Sequence, residues 1–198
     1  MGERLGIFGG TFDPPHVGHL VVAVNARHAL RLDRFLLVVA HDPWQKTSAR
    51  VVSTAADRLA MVQAAVAGVD GLEASSIEID RGGVSYSADT LRSLANEDPT
   101  RELFLIVGSD AAGGLPTWER GDEVRALATI VVVTRPGAED AAPPAGWSWR
   151  ALETPRLEVS STDLRARIAD GRPLDYLLTP AVIECIHSRR LYRSLADD

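Results

Sequence analysis

Residues 5–20 read Leu-Gly-Ile-Phe-Gly-Gly-Thr-Phe-Asp-Pro-Pro-His-Val-Gly-His-Leu. A short apolar run, Leu5 to Phe8, passes into Gly9 and Gly10 and breaks at Pro14 and Pro15. A second apolar run follows, headed by His16 and His19. The pattern predicts a buried strand, a glycine turn and a helix start. Glycine lets a ligand come close to the backbone, and the unpaired N–H groups of a helix N-terminus suit an anion. Residues three apart share a helical face, so both imidazoles should point toward whatever the glycines cradle. Three readings fit: a plain strand–turn–helix with surface histidines, a metal site of Asp13, His16 and His19, and a phosphate site. The dinucleotide fingerprint G-x-G-x-x-G is absent. Zinc pairs on a helix are usually four apart with a glutamate between; here the spacing is three, across Val17 and Gly18. Phosphate ranks above metal.

The 198 residues suit one domain, 1–198, with a sizeable core. A hydrophobic share of 45% and a charged share of 24% are ordinary for a soluble globular chain. No apolar run is long enough for a membrane span. The N-terminus enters strand-like sequence without a signal-peptide pattern. Cys185 is the sole cysteine, which excludes an intrachain disulfide or a cysteine-rich metal site. A cytoplasmic protein is the simplest reading. A net charge of -6 argues against a general nucleic-acid surface. Phosphate ligands would need positive charge concentrated locally.

Leu20, Val21 and Val24 continue a helical stripe to about Leu30, with His28 too far along to join the first site. Arg34 to Ala40 is a continuous apolar run, expected as a strand buried on both faces, so the start of the chain forms a right-handed βαβ unit. Residues 41–53 read as a loop after that strand's C-terminal end, where ligands bind in open α/β sheets. Lys46 in this loop is either a solvated lysine or a phosphate contact. Thr54 and Asp57 resemble a capping box before the stripe Leu59, Val62, Val66. Ser76 to Asp80 alternates like a half-exposed strand. Residues 81–91 turn into a third helix. Glu102 to Val107 and Thr129 to Thr134 are further buried strands, with a short helix at 122–127 between them. Trp118 sits in loop-like sequence, as core packing or as a ligand platform. Residues 138–149 read as an irregular loop, and Leu157 to Val159 as a brief last strand. Ser160, Ser161 and Thr162 open a helix with Arg165 on its first turn, an ordinary N-cap or an anion site with a charged fork. Thr179-Pro180 caps a last helix. The expected fold is α/β: one doubly wound, Rossmann-like sheet of about five parallel strands with a small C-terminal helical part.

Gly9-Gly10-Thr11-Phe12-Asp13-Pro14-Pro15-His16-Val17-Gly18-His19 resembles the motif G-x-F-x-P-x-H-x-G-H of the nucleotidylyltransferase superfamily, and within it the nicotinate-mononucleotide adenylyltransferases. Val159-Ser160-Ser161-Thr162-Asp163-Leu164-Arg165 resembles the second signature, Ile/Val-Ser-Ser-Thr-x-x-Arg, in the right order. The likeness runs from Leu5 to Tyr192. It implies ATP contacts at Gly9, Gly10, Thr11, Phe12, Gly18, Gly108, Asp110, Ser160, Ser161 and Thr162. It implies catalytic roles for His16, His19 and Arg165. Lys46, Tyr86, Ser87, Trp118 and Arg135 would serve the acceptor, Trp118 by stacking on its pyridine ring.

The reaction implied is transfer of AMP from ATP to nicotinic acid mononucleotide, giving deamido-NAD and pyrophosphate. Mg2+ would arrive with ATP, and no protein metal site is expected. Neither nucleic acid nor membrane is an expected partner, and a homo-oligomer is left open. Two alternatives stand beside this reading. One is a sister adenylyltransferase using nicotinamide mononucleotide or pantetheine phosphate; the pantetheine branch usually carries Thr in place of His16. The other is a nucleotide-binding regulator without turnover, which would tend to lack catalytic residues that are all present here.

Overall fold

A strand that is apolar at consecutive positions must be covered on both faces, and the arrangement of this chain follows from that need. The computed structural model describes residues 2–43, 52–134, 142–155 and 157–192. Six strands, β1 (Arg4–Gly10), β2 (Arg34–Val39), β3 (Leu72–Ser75), β4 (Glu102–Gly108), β5 (Ala128–Thr134) and β6 (Trp149–Glu153), form one parallel sheet. Their order is β3-β2-β1-β4-β5-β6.

Alternate residues feed two cores. Leu5, Ile7, Leu36, Val38, Leu103, Leu105, Ile130 and Val132 face one layer, where helices α4 (Ser87–Glu97) and α6 (Gly121–Leu127) contribute Leu91, Leu94 and Val124. Phe35, Leu37, Val39, Phe104, Ile106 and Val131 face the other. There α1 (Val17–Leu30) and α2 (Ala55–Val66) bring Ala23, Ala26, Leu30, Val62 and Val66. Gly6 permits the close approach on that side: a Cβ there would lie 2.7 Å from atoms of both Leu32 and Phe35. A third cluster joins Met61 and Ala65 of α2 to Leu164 of α7 (Ser161–Ala169) and Val182 and Ile186 of α8 (Pro180–Ser188). This is the expected C-terminal helical part. Among the described residues, no helix is long and apolar enough to cross a membrane.

Three sequence expectations need correction. The third strand is Leu72–Ser75, paired with Phe35–Val38, and 76–80 is not a strand. Ile77–Arg81 is a short helix, α3, whose turn is closed by Ser76 Oγ donating to Asp80 Oδ2 at 2.7 Å. Ile77 and Ile79 pack against different cores; two alternating residues are too few to define a period. The last strand is Trp149–Glu153, not 157–159, and the sheet has six strands where about five were expected. As an edge strand it buries only Leu152 among its five residues, so hydrophobicity does not betray it. Val159 instead packs on the third cluster. Gly9 and Gly10 end β1 rather than forming a turn; the chain turns at Thr11 to Pro15.

The winding reverses between β1 and β4. From β1 the chain moves outward through β2 and β3, then crosses back to β4 and winds the other way. The paired register of β1 with β4 runs to Ile7 and Leu105, although the strands continue to Gly10 and Gly108. The strand ends therefore part at the switch point, the place where open α/β sheets bind ligands.

Candidate active site

Gly9 and Gly108 stand exposed on those parted ends. A Cβ built at either would meet no atom within 4 Å, so protein packing does not demand glycine there. Close approach by a ligand would explain both. Gly10 differs: a Cβ would lie 2.8 Å from the ring of Phe12. Phe12 has φ 51° and is 3% exposed. Its ring closes the second core, which leaves its backbone as the part that could meet ATP.

His16 is not inside the helix. It is the N-cap of α1, with extended backbone (φ -142°, ψ 170°), and His19 is three residues on. The rings stack with centroids 3.8 Å apart and planes 29° from parallel. The His16 backbone N–H donates to His19 Nδ1 at 3.1 Å. With Nδ1 accepting, the proton of the neutral His19 ring lies on Nε2. Phe12 meets the His19 ring edge to face at 5.0 Å, which fixes its plane. His16 Nδ1 is buried and finds no hydrogen-bond partner among the described residues. Burial lowers the His16 pKa to about 4, so near pH 7 the ring is a neutral hydrogen-bonding group and not a cation. Gly18 makes room for it: a Cβ there would lie 3.0 Å from His16 Nδ1 and 3.1 Å from Val159 Cγ1.

The second signature docks directly on the first. Ser160 caps α7, accepting the Asp163 N–H at 3.2 Å. Ser161 Oγ donates to the Pro14 carbonyl at 2.8 Å. Arg165 Nη1 donates to the Asp13 carbonyl at 2.7 Å, and its Nη2 to Thr162 Oγ1 at 3.2 Å. Two helix starts, α1 and α7, thus lie side by side. Their N–H groups and dipoles favour an anion between them. From beyond α8, Tyr192 OH donates to Asp13 Oδ1 at 2.7 Å. Burial and the Asp13 charge raise the tyrosine pKa, keeping it a donor. Asp13, 1% exposed, is therefore a structural acceptor beneath the loop.

Next to this junction lies a cleft of about 620 Å³ lined by Gly10, Thr11, Ala40, Asp42, Pro43, Ser85, Tyr86, Ser87, Thr117, Trp118 and Glu119. Tyr86 and Ser87 reach it because they open α4; Trp118 follows a 3-10 turn at Leu115–Thr117 and packs on the first core as well. Trp118 therefore packs on the core and also lines the cleft. The His41 N–H donates to Ser85 Oγ at 2.9 Å, joining the cleft's two sides. A second hollow, about 330 Å³ at the C-terminal end of α1, contains no residue of either signature.

The structure brings Gly10, Thr11, Tyr86, Ser87 and Trp118 into one cleft. Ser161 and Arg165 hold the Asp13–Pro14 turn that leads into the His16–His19 pair, and Thr162 bonds Arg165. Gly108 ends β4 and Asp110 sits in the short helix α5 (Ser109–Ala112); neither is among the residues lining the cleft. Lys46 and Arg135 lie outside the described residues. Among the described residues no three His, Cys, Asp or Glu side chains gather as a metal cage; an ion delivered on a triphosphate needs none.

Sequence reasoning missed Arg58 and Tyr192. Arg58 is 1% exposed, on the stripe of α2 that also buries Met61, Val62 and Ala65. An arginine on an apolar face was the available signal.

Comparison with known proteins identifies the family. The cytidylyltransferase-like family matches residues 7–167. A "probable nicotinate-nucleotide adenylyltransferase" of Corynebacterium kroppenstedtii is 43% identical over 96% of this chain and 90% of its own. One of the same name from Streptomyces coelicolor is 44% identical over 93% and 98%. The solved Plasmodium falciparum nicotinic acid mononucleotide adenylyltransferase complexed with NaAD superimposes with a TM-score of 0.76 at 16% identity, covering 96% of this chain and 97% of that one. Two docked signatures beside a parted pair of strand ends, and relatives matched along almost their whole length, show that the chain belongs to the nicotinate-nucleotide adenylyltransferase family.

Proposed function

We propose that the protein transfers AMP from ATP to nicotinic acid mononucleotide, giving deamido-NAD and pyrophosphate. The observation that carries this reading is the junction of Ser161 with Pro14 and Arg165 with Asp13 beside the Tyr86–Ser87–Trp118 cleft. It supports a reading in which an anion site and an aromatic acceptor site share one edge.

In this reading the acceptor's phosphate oxygen attacks the α-phosphorus of ATP. The new O–P bond forms as the bond to the bridging oxygen of pyrophosphate breaks, and pyrophosphate leaves with the electron pair. Such transfer depends on positioning and charge stabilisation. His19 directs its Nε2–H at the leaving phosphates, and His16 steadies them as a neutral partner. Arg165, Ser161 and Thr162 hold the outgoing pyrophosphate. Gly9, Gly108 and Asp110 face the adenosine. Trp118 stacks on the pyridine ring, and backbone N–H groups near Ser87 meet its carboxylate. Mg2+ enters as part of the nucleotide substrate. A chain with one cysteine needs no oxidising compartment, which fits a cytoplasmic location.

Pyrophosphate release with ATP, magnesium and a panel of acceptors tests the reading. Nicotinic acid mononucleotide should exceed its amide by on the order of 10⁴ in kcat/KM, because amide N–H groups would face the pocket's donors. Comparable values would refute the carboxylate pocket. Release with pantetheine phosphate alone would move the protein to the sister activity. ATP binding without release for any acceptor would make it a regulator.

A further inference from the structure

We infer that Arg58 is a positioning residue for the acceptor, acting through the floor of the cleft. This inference rests on the cleft being the acceptor site.

The backbone ladder between β1 and β2 ends with Ala40 N–H donating to the Gly10 carbonyl at 3.0 Å. Beyond that rung the carbonyls of Thr11 and Ala40 are both acceptors. Arg58 Nη1 bridges them, at 3.0 Å to Thr11 and 2.7 Å to Ala40. The guanidinium thus stitches the two strands where their own ladder stops, and Thr11 and Ala40 both line the cleft. Nη2 donates to the His41 carbonyl at 3.1 Å and Nε to the Ser53 carbonyl at 3.0 Å. One planar group therefore sets the cleft floor, the residue that reaches Ser85 across the cleft, and the entry to α2.

The Asp13–Pro14 turn on the nucleotide side has anchors of its own. Arg165, Ser161 and Tyr192 hold the Asp13–Pro14 turn, and the Val17 N–H donates to the Leu177 carbonyl at 3.0 Å. Loosening Arg58 should therefore disturb the acceptor more than ATP. Lysine keeps the charge but donates from one point, and it cannot span these carbonyls. Arg58→Lys separates geometry from charge.

The experiment measures KM for ATP and for nicotinic acid mononucleotide in wild type, Arg58→Lys and Trp118→Ala, with melting temperatures alongside and assays in the cold. KM does not depend on how much enzyme is folded, so a purely structural role lowers apparent kcat and leaves both KM values alone. The expected result for Arg58→Lys is an acceptor KM raised roughly ten- to a hundredfold, the scale of a misplaced binding group, with ATP KM within about twofold. Unchanged KM values, equal rises in both, or a variant that cannot fold at any temperature would overturn the inference. Trp118→Ala guards the premise. If it leaves acceptor KM alone, the acceptor-cleft assignment fails. If it raises acceptor KM while Arg58→Lys does not, only the Arg58 inference fails.

Discussion

Arg165 Nη1 lies 2.7 Å from the carbonyl oxygen of Asp13, across 152 residues of sequence. The side chain expected to grip the outer phosphates also holds the turn that leads into α1. Arg165→Ala should weaken ATP binding much more than AMP binding, since only ATP carries β and γ phosphates. Calorimetry with both nucleotides checks this; equal weakening would leave Arg165 with an architectural role alone.

His19 has its Nδ1 committed to the His16 backbone N–H, so the expected contribution to chemistry is the Nε2 donor. Losing one donor aimed at transition-state charge costs roughly a hundredfold to a thousandfold in kcat. His19→Ala should show such a loss with its circular dichroism spectrum unchanged. Near-normal turnover would remove the histidine pair from the mechanism.

Gly18→Ala tests the packing behind that pair. The added Cβ would press on the His16 ring and on Val159 at 3.0–3.1 Å, while the helix itself tolerates alanine well. Turnover should fall by about tenfold as the imidazole is displaced, with little change in melting temperature. A wild-type kcat, or an unmoved His16 signal by NMR, would count against the need for glycine.

His16 makes stability depend on pH. Its folded pKa is held at about 4, below the ordinary 6.5, by burial. Between those values the unfolded chain takes up a proton that the folded chain resists. The stability contribution is complete above 6.5 and is lost as pH falls toward 4. The loss is at most about 3 kcal/mol. His16→Asn should flatten this part of the profile in urea titrations at pH 7.5 and 4.5; parallel profiles would contradict a buried neutral ring.

Tyr192→Phe removes the hydroxyl that reaches Asp13 from beyond α8. A buried hydrogen bond to a charged group is worth about 1.5–3 kcal/mol. At this chain length that predicts a melting temperature lower by roughly 3–12 °C. An unchanged melting temperature would mean that the contact does not tie the C-terminal segment to the loop.

Local sequence was informative wherever one element carried its own signal. The unbroken runs at Phe35–Val39 and Leu103–Val107 announced doubly covered strands. Thr54, Ser160 and Thr179 announced helix starts, and each accepts the N–H three residues on. The edge strand Trp149–Glu153 was illegible because its partner is backbone and its side chains face mostly outward.

From sequence alone came the two signatures, their order and the class of ligand they suit, because glycines, hydroxyls and histidines near a helix start act through local backbone geometry. Tertiary structure alone decided the rest. It made His16 an extended N-cap whose ring stacks on His19, turned Phe12 inward, and set Tyr192 against Asp13 and Arg58 against four carbonyls. Apart from the His16–His19 pair, the hydrogen bonds of Tyr192 and most of those of Arg58 join residues distant in the chain. Their partners are largely backbone carbonyls, which every residue type carries, so no side-chain pattern could mark them in advance.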